Sequence, residues 1–340
     1  MRSSRNRTHD AGVRRLLLAS TIAAVLVGTG TVAAAPASAP ARTVQNAAPV
    51  TALSVTGRSV GYAIGQTKTS CGAARLWDTG SRGLWTFGSR TIVGCEENPS
   101  GGFGISSVAA TGHRVLWLTH IGGNTTDYQL WTATPTRPAP RRLAFASSDT
   151  DGPAAIVLGS GTAEGVPYAV GETVTYVGSA GARLFQVQLD SPVRLLTAGT
   201  ALGGPDSGSV LAALANGNVV ELSRSGVQLR ADTFSAPVRA IALGTLGPVV
   251  QAGNVVTVEV SSTVTRVTLP PNALMLDYRQ RAIAYRLGAQ LRLRRVGTGE
   301  DTLLGTFPVK PWQPLLFSTD RAGSASATGA TVSWRSGSLG

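Results

Sequence analysis

From residue 50 to the C-terminus, this sequence repeats one pattern seven times: two short apolar runs joined by a turn of small residues. The second runs read Arg75-Leu-Trp-Asp, Tyr128-Gln-Leu-Trp, Arg183-Leu-Phe-Gln-Val, Asn218-Val-Val-Glu-Leu, Asn254-Val-Val-Thr-Val, Gln290-Leu-Arg-Leu and Thr331-Val-Ser-Trp. A period of about 40 residues is what a four-stranded antiparallel sheet needs in a repeat ring. Short alternating runs occur throughout, and few segments carry a 3.6-residue period. The 41 glycines and a charged fraction of only 14% suit many short strands and tight turns. The chain is therefore expected to be all-β.

Each sheet needs four strands, a to d from the axis outward. The a strands are expected at Thr51–Thr56, Gly104–Ala110, Val166–Val170, an ill-defined run near 200, Arg239–Leu243, Ala273–Tyr278 and Leu315–Thr319. The d strands are expected at Leu84–Gly88, Arg141–Ala146, Val193–Ala198, Val227–Asp232, Val264–Leu269 and Thr302–Phe307. A seventh d strand is missing after Thr331-Val-Ser-Trp, and a ring that does not close leaves an unpaired edge. Residues 40–49 serve either as a linker or, through Arg42–Ala47, as that closing strand. Gly57-x-x-Val60-x-Tyr62, Gly112-x-x-Val115-x-Trp117 and Gly171-x-x-Val174-x-Tyr176 share one spacing, echoed by Ile283-x-Tyr285. Gly suits a turn with positive φ, and residues two apart share a strand face, so these aromatics read as core between sheets.

On these residues the chain resembles the β-propeller superfamily over roughly 42–340. The resemblance implies seven four-stranded antiparallel blades, with residues 50–340 as the propeller domain. No repeat carries both the Gly-His and the Trp-Asp of WD40 repeats; Trp77-Asp78 occurs once. Only blade two carries a kelch-like order, Gly122-Gly123 followed by Tyr128 and Trp131.

The formal charge is +12, with Lys68 and Lys310 the only lysines. Basic chains invite a nucleic-acid reading, but the arginines are dispersed, the densest groups being Arg137/Arg141/Arg142, Arg279/Arg281/Arg286 and Arg292/Arg294/Arg295; no nucleic-acid partner is expected. Residues 1–39 run from five arginines through an uncharged Leu16–Val32 stretch to a small-residue exit, the order of a secretory signal peptide. The chain is thus expected to be a secreted bacterial protein, membrane-attached only if that signal stays uncleaved. In an exported chain the two cysteines, Cys71 and Cys95, read as one disulfide, which by closing a loop of about 25 residues would add roughly 3 kcal/mol.

Function in a ring sits at one mouth, on the b–c and d–a loops. There the sequence places Glu96, Glu97, Asn98, His120, Asn124, Asp127, Asp149, Asp151 and also Glu164, counting 147–165 as one long link. All of these but Glu164 are the candidate binding residues. Asp149-x-Asp151-Gly152 opens like a calcium loop but lacks the later ligands, so no metal and no cofactor are expected. No Gly-x-Ser-x-Gly, His-Glu-x-x-His or phosphate-loop motif is present. The sequence points to a monomeric, non-catalytic ring that binds a protein or a cell-envelope polysaccharide. The alternative is an extracellular polysaccharide hydrolase or lyase using loop carboxylates.

Overall fold

Seven antiparallel sheets of four strands each account for all the named strands in the computed structural model. It describes residues 41–66, 72–88, 103–122, 125–149, 152–199, 208–244, 247–260, 263–307, 316–320 and 322–337. After an N-terminal strand β1 (Arg42–Gln45), blade one is β2 (Val50–Thr56), β3 (Ser59–Ile64), β4 (Ala73–Asp78) and β5 (Leu84–Phe87). Blade two is β6 (Phe103–Thr111), β7 (Arg114–Ile121), β8 (Thr125–Thr134) and β9 (Arg137–Asp149). Blade three is β10 (Ile156–Leu158), β11 (Gly165–Val170), β12 (Thr173–Gly178) and β13 (Arg183–Gln188). Blade four is β14 (Val193–Ala198), β15 (Gly208–Leu214), β16 (Asn218–Ser223) and β17 (Gln228–Thr233). Blade five is β18 (Val238–Gly244), β19 (Gly247–Ala252), β20 (Val255–Val260) and β21 (Thr263–Thr268). Blade six is β22 (Leu274–Arg279), β23 (Ala282–Leu287), β24 (Gln290–Arg295) and β25 (Asp301–Thr306). Blade seven is β26 (Leu316–Asp320), β27 (Gly323–Thr328) and β28 (Thr331–Ser336), with β1 as its outermost strand.

The inner strands touch in the cyclic order β2, β6, β10, β14, β18, β22, β26 and back to β2, which makes the ring. Burial follows from that geometry. A middle strand is covered on both faces by neighbouring blades, so it reads as a continuous apolar run; β3 is buried at every residue. An outer strand faces solvent, as β21 does along its length. Seven apolar clusters fill the junctions, one between each pair of adjacent blades. The signature aromatics sit in them: Tyr62, Trp117, Tyr176 and Tyr285 are all buried.

The first and last named strands meet in blade seven. Arg42, Thr43, Val44 and Gln45 pair with Trp334, Ser333, Val332 and Thr331. Asn46 then ties this strand to blade one. Its Nδ2 donates to the Ala330 carbonyl at 2.8 Å, while its Oδ1 accepts from Arg75 Nη1 at 2.7 Å and from the Tyr62 hydroxyl at 3.1 Å. Burial raises the Tyr62 pKa, only partly offset by Arg75 and Asn46, so the hydroxyl stays protonated as a donor. Arg42 donates to the Thr79 carbonyl and lies 5.9 Å over the Trp334 ring.

Blade three corrects the expected phase. Gly57, Gly112 and Gly171 all have φ between +54° and +58°. A Cβ on Gly57 or Gly171 would meet nothing within 4 Å, so the turn conformation and not crowding selects glycine there. The same turn, however, joins a to b in blades one and two and b to c in blade three. Val174 and Tyr176 therefore lie on the third strand, and Val193–Ala198 is the inner strand of blade four, not the outer strand of blade three. The inner strand of blade three is β10, only three residues long.

Candidate functional site

Alternation along two neighbouring strands separates the candidate residues that the structure describes. Ile121 stands opposite Asp127, Asp127 opposite Ser147, and Thr125 opposite Asp149. Asp127 and Asp149 therefore share the face of blade two that looks toward blade one. His120 is one residue out of step, opposite Gly104 and Tyr128, and faces blade three. The sheet itself stands between the imidazole and the two carboxylates, so His120 cannot share a substrate atom with them. Burial lowers the His120 pKa, and its Nδ1 finds no hydrogen-bond partner among the described residues. Asp127 accepts a 2.6 Å bond from the Ser147 hydroxyl. Glu96, Glu97, Asn98, Asn124, Asp151, Cys71 and Cys95 lie outside the described residues.

Glu164 belongs to the other mouth. The stretch 147–165 is not one link, because β10 runs through it. Glu164 falls on the a–b connection of blade three and pairs at 2.7 Å with Arg224, on the c–d turn of blade four. The same mouth holds Arg114, whose guanidinium donates to the Ser179 and Ala180 carbonyls, both at 3.0 Å. Burial lowers the Arg114 pKa, and the charges of Arg141 and Arg137 lower it further. Among the described residues no group of three or more His, Cys, Asp or Glu is placed to hold a metal.

A groove of about 650 Å³ lies between blades one and two, on the face of blade two that carries the two carboxylates, though neither of them is among its lining residues. Among the described residues it lies where neighbouring strands differ in length. In blade two β8 has ten residues and β9 thirteen, whereas β5, the outer strand of blade one, has four. Among the described residues, the face of blade two thus runs past β5. Phe87 and Trp117 form the floor, their rings stacked with centroids 6.4 Å apart. Gln129 and Trp131 form the wall, and the exposed Pro138-Ala139-Pro140 the rim. Trp131 Nε1 donates to Thr119 Oγ1 at 3.3 Å, and that hydroxyl donates to the Gln129 carbonyl at 3.2 Å, which holds the half-buried indole in place. A groove with an aromatic floor, a fixed indole and neutral amide and hydroxyl groups suits a neutral, extended ligand. The sequence missed it. Its signal was the alternation Trp117-x-Thr119-x-Ile121 against Gln129-x-Trp131, of which only Trp117 was read as core.

A second cavity, of about 240 Å³, lies on the axis and is lined by the inner strands of all seven blades. Two charged residues, Asp277 and Arg279, line it, and Asp277 accepts from the Thr319 and Tyr278 amides at 2.9 and 2.8 Å. The Thr319 bond joins blade six to blade seven.

No known family model matches the chain, and no curated protein sequence matches it. Solved structures do. Saccharomyces cerevisiae Sqt1 superposes with a TM-score of 0.50 at 12% identity, covering 86% of this chain and 97% of that one. The Pan2 WD40 domain of Neurospora crassa gives 0.52 at 13%, covering 85% and 90%. Chaetomium thermophilum Raptor gives 0.53 at 12%, covering 88% of this chain but 28% of that one. The chain is a seven-bladed β-propeller, similar in fold to these structures. At such identities the likeness speaks to fold alone.

Proposed function

We propose that this chain is an exported, non-catalytic recognition ring that holds an extended segment of a protein partner in the groove between blades one and two. The groove carries the reading: a fixed aromatic surface, open among the described residues, on a blade that outruns its neighbour. A rigid ring presents such a surface at little entropic cost. Export rests on the N-terminal residues, with their basic, apolar and small-residue order.

The second reading is a cell-envelope polysaccharide, favoured by the half-buried Trp131 beside Gln129 and Thr119, since an indole face flanked by neutral hydrogen-bonding groups also suits a sugar ring. Retention from cell-envelope extract by the immobilised chain separates the two. A protein ligand retained by the wild type and lost with Trp131→Ala supports the proposal. A retained, protease-resistant carbohydrate moves the assignment to the second reading. Retention unchanged by Trp131→Ala contradicts both.

A further inference from the structure

The outermost strand of blade two is β9, and among the described residues its only ladder is with β8. Its thirteen residues compare with four or six in the outer strands of the other blades. An outer strand carries a row of unpaired amides and carbonyls, and proteins blunt it with proline, charge or shortness. In β9, Pro138, Pro140 and the three arginines guard the first half. From Leu143 to Ser148 there is no proline and no charge, and Phe145 is 50% exposed.

This edge is complementary to itself. A bulge skips Leu143, so that Arg142 stands opposite Trp131, while Phe145, Ser147 and Asp149 stand opposite Gln129, Asp127 and Thr125. Arg142 and Asp149 thus occupy the same face of blade two, at opposite ends of the unguarded stretch. Neither has an ion-pair partner among the described residues; Arg142 lies 5.7 Å over the Phe145 ring. We propose that a second copy of this chain pairs with β9 antiparallel, about a two-fold axis at Ala146. In that register Phe145 meets Ser147, Ala144 meets Ser148, and Arg142 of each copy meets Asp149 of the other. Pro138 and Pro140, which have no amide to donate, fall outside the ladder. The contact is isologous, so it closes at two copies and does not propagate. This departs from the monomer that the sequence alone suggested. The ladder is short, so dimerisation depends on concentration.

Sedimentation equilibrium of the intact chain over about a hundredfold concentration range tests it. The wild type is expected to pass from monomer to dimer. Arg142→Glu sets a glutamate against the partner's Asp149, and Asp149→Arg sets an arginine against the partner's Arg142. Each is expected to weaken the dimer at least about tenfold, and the double variant to recover most of the loss. Circular dichroism confirms that each variant folds. A monomer at every concentration overturns the proposal. So does a dimer indifferent to the single substitutions, or a double variant no better than the singles.

Discussion

The junction between blades seven and one and the junction between blades one and two begin alike and end differently. Each is bounded by an outer strand of four residues, β1 in one case and β5 in the other. At the first, the strand is long enough for its neighbours. Arg42 covers Trp334, Asn46 ties the strand to blade one, and the indoles of Trp77 and Trp334 are buried. At the second, blade two outgrows the strand beside it. The inner part, Phe87 against Trp117, is closed, and the outer part remains a groove walled by Trp131. Among the described residues, what separates the two junctions is the unequal length of neighbouring strands.

The sharpest break of this comparison is on the shared, closed part. Trp117→Ala is expected to cost about 3–5 kcal/mol, because it empties a packed site at the floor of the second junction. Urea unfolding measures it, and a cost below about 1 kcal/mol would mean that the floor is not packed. Next comes the latch at the first junction. Asn46→Ala strands the Tyr62 hydroxyl and one Arg75 donor, and is expected to cost about 2–3 kcal/mol in the same assay. Wild-type stability in that variant would remove Asn46 from the closure. Trp131→Ala marks the contrast. It is expected to cost only about 1 kcal/mol of stability, since the side chain is half exposed, while abolishing ligand retention.

The smallest effect is on pH dependence, in blade six. Burial pushes the Asp301 carboxyl up, but hydrogen bonds from Tyr285 at 2.6 Å and Arg292 at 2.9 Å, with the Arg292 and Arg294 charges, leave it below the ordinary range. A carboxylate depressed in the folded state stabilises above its unfolded pKa, and that contribution is lost as pH falls through the folded value. Glu221 has the opposite sign, because burial outweighs Arg230 and raises it. Its contribution is present below the unfolded pKa and lost as pH rises. Asp301→Asn should therefore flatten the acid limb of a stability–pH curve, and Glu221→Gln the limb just above it. A curve unchanged by Asp301→Asn rejects the first assignment.

Much of the ring was legible because burial on both faces writes itself as apolar runs, and because each a–b turn in blades one and two needs a glycine at positive φ. The same turn misled in blade three. Gly171-x-x-Val174-x-Tyr176 repeats the spacing one strand later, and Ile156–Leu158 is too short, in a Gly-rich and Ser-rich stretch, to announce itself. The candidate site was less legible. Counting strands brought Asp127 and Asp149 to one end of blade two, yet alternation set His120 on the other face, which only the register shows. The groove depends on the relative length of strands in two blades, and no local pattern encodes that.

A photo-cross-linking side chain in place of Gln129, on the groove wall, compared with one in place of Leu184, exposed on the rim of blade three, tests the assignment of the groove most directly. Incubated with cell-envelope extract, the Gln129 position is expected to form a discrete protein adduct and the Leu184 position none. Equal adducts at both positions, or an adduct at Leu184 alone, would contradict the groove as the place where this ring binds.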